Sequence, residues 1–237
     1  MTFVETNRHP VVSDAEFKRL LRVPPEFEFT GQMGENAAWV RDWYAAHGRP
    51  WLWASAVESC AVAGEVTTLG GQELTSRELA RRFRQAHGAV VVAASAGPEA
   101  EAEAACRWAD DEPDRYYFLE TFASAVVEAL IAEARGRLCA WADERGDVLL
   151  PHYSPGYQGW TVGDQARVLV LLTDRGAVPG PLEVMSSGML RPKKSQLAVF
   201  ALAPAGSAGA EPADLVPCKY CAQVRCEFRR ESYALGT

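Results

Sequence analysis

From about Tyr116 to Ala142 the chain carries no proline and a single glycine, Gly136. Such a stretch reads as one long helix, and Phe118, Phe122, Ala125, Ala129 and Ala132 fall on one face of it. A helix of that length cannot hide its apolar face alone, so it needs a broad partner layer. The run AVVVAA at 89–94 is of a different kind. It is β-branched, short, and bounded by Gly88 and by Gly97 and Pro98, the pattern of a buried strand. Residues 182–190 and 195–203 read as two further strands.

Helix starts elsewhere are marked by side chains that can satisfy first-turn amides, with a carboxylate three positions on. Ser13 with Glu16 opens a helix that carries Phe17, Leu20 and Leu21 and is stopped by Pro24 and Pro25. Residues 34–47 form a second, closed by Gly48, and Thr75 with Glu78 opens a third that runs towards Gly88. The alanine- and glutamate-rich segment 98–110 reads as another helix. Thr161 with Asp164 caps one more, whose VLVLL segment must be largely buried and which Gly176 ends. Helices and strands are interspersed without a regular βαβ alternation. The expected fold is therefore α+β, with a mixed, mostly antiparallel twisted sheet and several packed helices. The expected organisation is an N-terminal helical extension over 1–70, a core over 71–203, and a linker with a cysteine cluster over 204–237.

A formal charge of -7 and a pI near 5.2 speak against a nucleic-acid or anionic-membrane partner, both of which select basic surfaces. The first twenty residues lack a basic start followed by an apolar run, so the expected location is the cytoplasm. Of six cysteines, Cys218, Cys221 and Cys226 cluster as C-x2-C-x4-C. In a cytosolic chain that spacing favours a metal ion or iron-sulfur cluster over a disulfide, with a fourth ligand still to be found. Three reduced cysteines without metal is the plainer reading.

The decapeptide PHYSPGYQGW at 151–160 is stiff and aromatic. Pro155 fixes its own backbone and biases Ser154 towards an extended form, while Gly156 permits angles that a side chain would block. Such a loop can present backbone groups to a ligand at little ordering cost; it can also be a tight connection whose aromatics fill the core. Downstream, SSGMLRPKKS sets Arg191, Lys193 and Lys194 beside Pro192 on an acidic protein, either as a solvated turn or as a contact for acidic groups.

Taken in order, S-P-G-Y with a Trp three residues on, then M-x-x-P-x-x-S, then CKYCAQVRCEFRR resemble the activation domain of cobalamin-dependent methionine synthase, and most closely its free-standing members. The resemblance covers roughly residues 75–230. It implies a domain that binds S-adenosylmethionine and docks on a separate cobalamin-carrying protein, with a flavodoxin or ferredoxin as electron donor. In the family an R-x-x-x-G-Y pattern holds the ligand. Gly156 and Tyr157 match it, Ser154 lies within it, and His152 stands at the arginine position. The glutamate that contacts the ligand's ammonium corresponds to Glu128. Histidine is mostly neutral near pH 7 and offers fewer donors than a guanidinium, so weaker binding is expected. The implied role is reductive reactivation of a methyltransferase's cobalamin. The alternatives are a docking module that has lost S-adenosylmethionine binding and a small iron-sulfur or zinc protein.

Overall fold

The computed structural model describes residues 1–207. Along the chain run β1 (Thr2–Thr6), α1 (Asp14–Leu21), α2 (Gly31–His47), β2 (Trp51–Val57), β3 (Cys60–Ala63), β4 (Val66–Leu69), β5 (Gln72–Thr75) and α3 (Arg77–Phe83). Then follow β6 (Gly88–Ser95), α4 (Pro98–Ala109), α5 (Pro113–Asp143), β7 (Asp147–Leu149), a 3-10 turn (Val162–Asp164), α6 (Gln165–Thr173), β8 (Glu183–Val184), β9 (Leu190–Arg191) and β10 (Ser195–Pro204).

The main sheet has the order β1-β2-β6-β10-β7, and every neighbouring pair is antiparallel. β6 lies at its centre with all eight residues buried. Its alternate side chains serve two cores. Val90, Val92 and Ala94 meet α5, α2 and α1, while Ala89, Val91 and Ala93 meet α3, α6 and the 150–160 loop. A strand covered on both faces needs no polar alternation, which is why AVVVAA is apolar throughout. The fold is α+β, as expected.

α5 exceeds its expected bounds by a few residues at its start and one at its end, and the expected face is buried at Phe118, Phe122 and Ala125 but not beyond. Leu130, Ile131, Ala134 and Leu138 are buried with Phe118 and Phe122, while Ala129 is half-buried and Ala132 exposed. Both stripes fit a helical repeat, and the helix turns the larger side chains inward because their burial removes more apolar area from water. The cap of α1 is as expected, with Ser13 Oγ accepting from the Glu16 amide at 3.2 Å. α3 is capped by Ser76 rather than Thr75, because Thr75 pairs with Val66 as the last residue of β5. The expected strand 182–190 is instead the short β8–β9 hairpin, turned at Gly188 with φ +83°.

Residues 1–70, expected as a helical extension, supply α1 and α2 but also β1 and β2 of the main sheet and β3 and β4 of a three-stranded sheet. β1 is further held to α5 by Glu5, which accepts from both terminal nitrogens of Arg137 at 2.5 and 2.7 Å. Residue 70 lies in the tight turn between β4 and β5.

Candidate functional site

The 150–153 segment runs antiparallel beside β10, with the amides of Tyr153 and Val199 donating to each other's carbonyls at 2.9 Å. That pairing sorts the loop's side chains by face. Tyr153 shares the α3/α6 side with Val199, and its neighbour His152 turns to the α5 side, where its ring centroid lies 5.5 Å from that of Phe200.

On the first side the aromatics anchor the loop. Tyr153 stacks on Trp160 with 7° between their planes, its hydroxyl donates to the Gln158 carbonyl, and the Arg82 guanidinium lies 4.4 Å over its ring. Burial pulls the Arg82 pKa down, and the Glu78 carboxylate at 3.2 Å opposes the shift. Trp160 Nε1 donates to Asp164 at 2.9 Å, and Ser76 Oγ to the Gly159 carbonyl at 2.7 Å. The plain structural reading of this loop therefore holds for Tyr153 and Trp160.

The other face collects the polar residues. Gln196, at the second position of β10, donates through Nε2 to Ser154 Oγ at 3.0 Å and to the Tyr157 hydroxyl at 3.1 Å. His152 Nε2 shares a 3.3 Å hydrogen bond with the same hydroxyl. Ser154 is buried, whereas His152 and Tyr157 are half-buried. Gly156 sits at φ +93°, and a Cβ built there would meet no atom within 4 Å. Its constraint is thus the backbone angle, while the space beside it is open.

The basic segment is part solvated and part paired, with Arg191 and Lys193 exposed and Lys194 half-buried. Lys193 and Lys194 both reach Glu120 of α5, at 2.6 and 3.2 Å, and Lys194 Nζ also donates to Ser124 Oγ at 2.9 Å. Burial is the largest single influence on Lys193 and pulls its pKa down, but the hydrogen bond and charge of Glu120, joined by Tyr116 and Glu101, together make the net shift upward. Arg191 lies 3.7 Å from Glu183, both well exposed. Glu128 stands on α5 one turn beyond Ser124, half-buried. The fold thus brings His152, Ser154 and Tyr157 into one hydrogen-bonded group, and β10 with Lys194 ties that group to the helical stripe bearing Glu128. Gln196 joins the set without having been expected. A polar residue in an otherwise apolar strand was the signal that could have found it.

Cys218, Cys221 and Cys226 lie outside the described residues. Among the described residues no group of three or more His, Cys, Asp or Glu side chains could hold a metal ion. Cys60, Cys106 and Cys139 are free thiols there, and burial pushes Cys60 up to about 11. No helix among the described residues is long and apolar enough to cross a membrane.

No protein-family model matches the chain, and no curated protein matches it by sequence. Solved structures do. One is the MetH reactivation domain, crystallised bound to AdoHcy, with a TM-score of 0.60 and 12% identity over 90% of this chain and 81% of that one. The two share a fold.

Proposed function

We propose that this protein binds S-adenosylmethionine along residues 152–157 and supports reductive methylation of the cobalamin carried by a separate corrinoid protein. The observation that carries this reading is the polar group of His152, Ser154, Tyr157 and Gln196, built on a fold whose solved counterpart holds AdoHcy. The residues suit such a ligand. The open space beside Gly156 leaves room against the loop backbone, Tyr157 offers a hydroxyl and a ring, and Glu128 can take an ammonium. His152, at the position of the family arginine and hydrogen-bonded to Tyr157, is the proposed partner of the ligand's carboxylate.

S-adenosylmethionine would supply a methyl group from its sulfonium, and the partner's corrinoid, reduced by a flavodoxin or ferredoxin, would accept it. The part of this chain is to bind, orient and present. Titration calorimetry with S-adenosylmethionine and S-adenosylhomocysteine tests the reading. Saturable heat is expected, and His152→Arg should tighten binding about tenfold by restoring a fork of charged donors. Absence of heat in both the parent protein and His152→Arg would overturn it. In that case the presence of His152 at the arginine position favours the second reading, a module that docks on a corrinoid protein without S-adenosylmethionine.

A further inference from the structure

β1 is an outer strand of the main sheet and pairs with β2 alone. The hydrogen bonds at its two ends fix which way its backbone points. The Asn7 amide donates to the Pro50 carbonyl at 2.8 Å and the Ala56 amide to the Met1 carbonyl at 3.0 Å, so the odd-numbered residues are the ones bonded to β2. In an antiparallel ladder such pairs alternate with pairs whose backbone groups turn away. Thr2, Val4 and Thr6 therefore direct their N–H and C=O groups to the outer edge, where no described residue bonds them.

An edge of this kind is usually blunted by lysine, proline or a bulge. TFVET has none of these. Its one charge, Glu5, is taken up by Arg137 and by Arg8. The side chains alternate as the backbone does. Phe3 packs on the α5 side under the Arg137 guanidinium, 4.5 Å from its ring, while Val4, 50% exposed, lies on the opposite face.

We propose that β1 pairs antiparallel with β1 of a second copy, about a two-fold axis through Val4, and so joins the two main sheets edge to edge. The outward groups select both the occupant and the register. Centring on Val4 sets Thr2 opposite Thr6, Val4 opposite Val4 and Thr6 opposite Thr2, so every outward residue faces another and about six hydrogen bonds form. Centring on Phe3 would leave Thr6 out. Centring on Glu5 would leave Thr2 out and set two carboxylates against each other. The charges agree with the Val4 register: Phe3 lies opposite the second copy's Glu5, which brings the Arg137 guanidinium over Phe3 beside that carboxylate as well as its own. The two Val4 side chains cover each other. The 152–157 loop runs beside β10, three strands in from β1 in the order β1-β2-β6-β10, so the inference stands independently of the function proposed for that loop.

Pairing two strands of this length buries less than the roughly 1,200 Å² at which stable specific dimers begin, so the association is weak, with a dissociation constant of roughly 10 to 500 µM. Sedimentation velocity of the full chain from about 5 µM to about 1 mM tests it, and the dimer fraction should rise across that range. Val4→Pro removes an outward N–H that β2 does not use, and proline is tolerated at such edge positions. The variant should keep the circular dichroism spectrum of the parent protein and weaken association at least about tenfold. Should it fail to fold, Val4→Lys, which sets like charges against each other on the axis, gives the same reading. A monomer throughout the range overturns the proposal, as does a dimer that survives a folded Val4 variant. So does a dimer lost in Trp108→Ser and kept in the Val4 variants, which would move the contact to the exposed indole of α4.

Discussion

Arg82 shows how a single side chain holds the loop in shape. Its side chain is 3% exposed, its guanidinium covers Tyr153, and its Nε and one terminal nitrogen have no partner among the described residues. Glu78 keeps Arg81 as a second partner, so removing the Arg82 charge does not orphan a carboxylate. Arg82→Met, which preserves volume and removes unpartnered donors, should therefore change stability by less than about 1 kcal/mol. Arg82→Ala, which leaves a void under Tyr153, should cost about 2 to 3 kcal/mol. Urea unfolding of the two variants measures the contrast, and equal losses would show that charge rather than packing matters. Gly156 is the complementary case. Because its added Cβ meets nothing within 4 Å, Gly156→Ala should cost only the backbone strain of φ +93°, about 1 to 2 kcal/mol, read from the same unfolding curves.

At the scale of elements, the attachment of β1 to α5 rests on charge. The side-chain hydrogen bond from Arg137, first among its causes, holds the Glu5 carboxyl below the usual carboxylate range despite partial burial. A carboxyl depressed by folding stabilises fully above its unfolded value of 4.5 and loses that contribution as pH falls through the folded value. Arg137 is 40% exposed, so solvent screening limits the pair to about 0.5 to 1 kcal/mol. Glu5→Gln should lower the unfolding midpoint at pH 7, and the difference from the parent protein should shrink on acidification below pH 4.5. A difference that grows on acidification would sink this account. Elements with local signals could be read directly from sequence: α1 from its Ser13 cap, α4 and α5 from composition and periodicity, β6 from its apolar run. β1 and β2 could not. TFVET is short, and WLWASAV, buried at all positions but one, carries no alternation to separate a strand from a buried helix segment.

For the molecule as a whole, the proposed work needs partners. We propose that Cys218, Cys221 and Cys226 hold a metal ion or cluster. Anaerobically purified protein should then contain metal, and Cys221→Ser should lose it, because a hydroxyl is a poor substitute for thiolate. Elemental analysis showing under about a tenth of an equivalent in the parent protein would dismiss the idea. Binding to a corrinoid protein should favour the cobalt(II) form over the methylated form, since a partner bound equally to both gains nothing with which to shift one towards the other. A pull-down titration against each form measures the ratio. By itself the sequence determined the fold class, the long helix, the central strand and the loop that gathers His152, Ser154 and Tyr157, because caps, periodicity and proline or glycine act over a few residues. Only the tertiary structure decided that β1 and β2 join the main sheet, that α5 buries Leu130 and not Ala132, and that Lys193 and Lys194 spend their charge on Glu120. It alone brought Gln196 to Ser154 and Tyr157. These outcomes depend on which distant strands pair and in what register, and the free energy of that choice lies in burial and hydrogen bonds between segments up to a hundred and more residues apart.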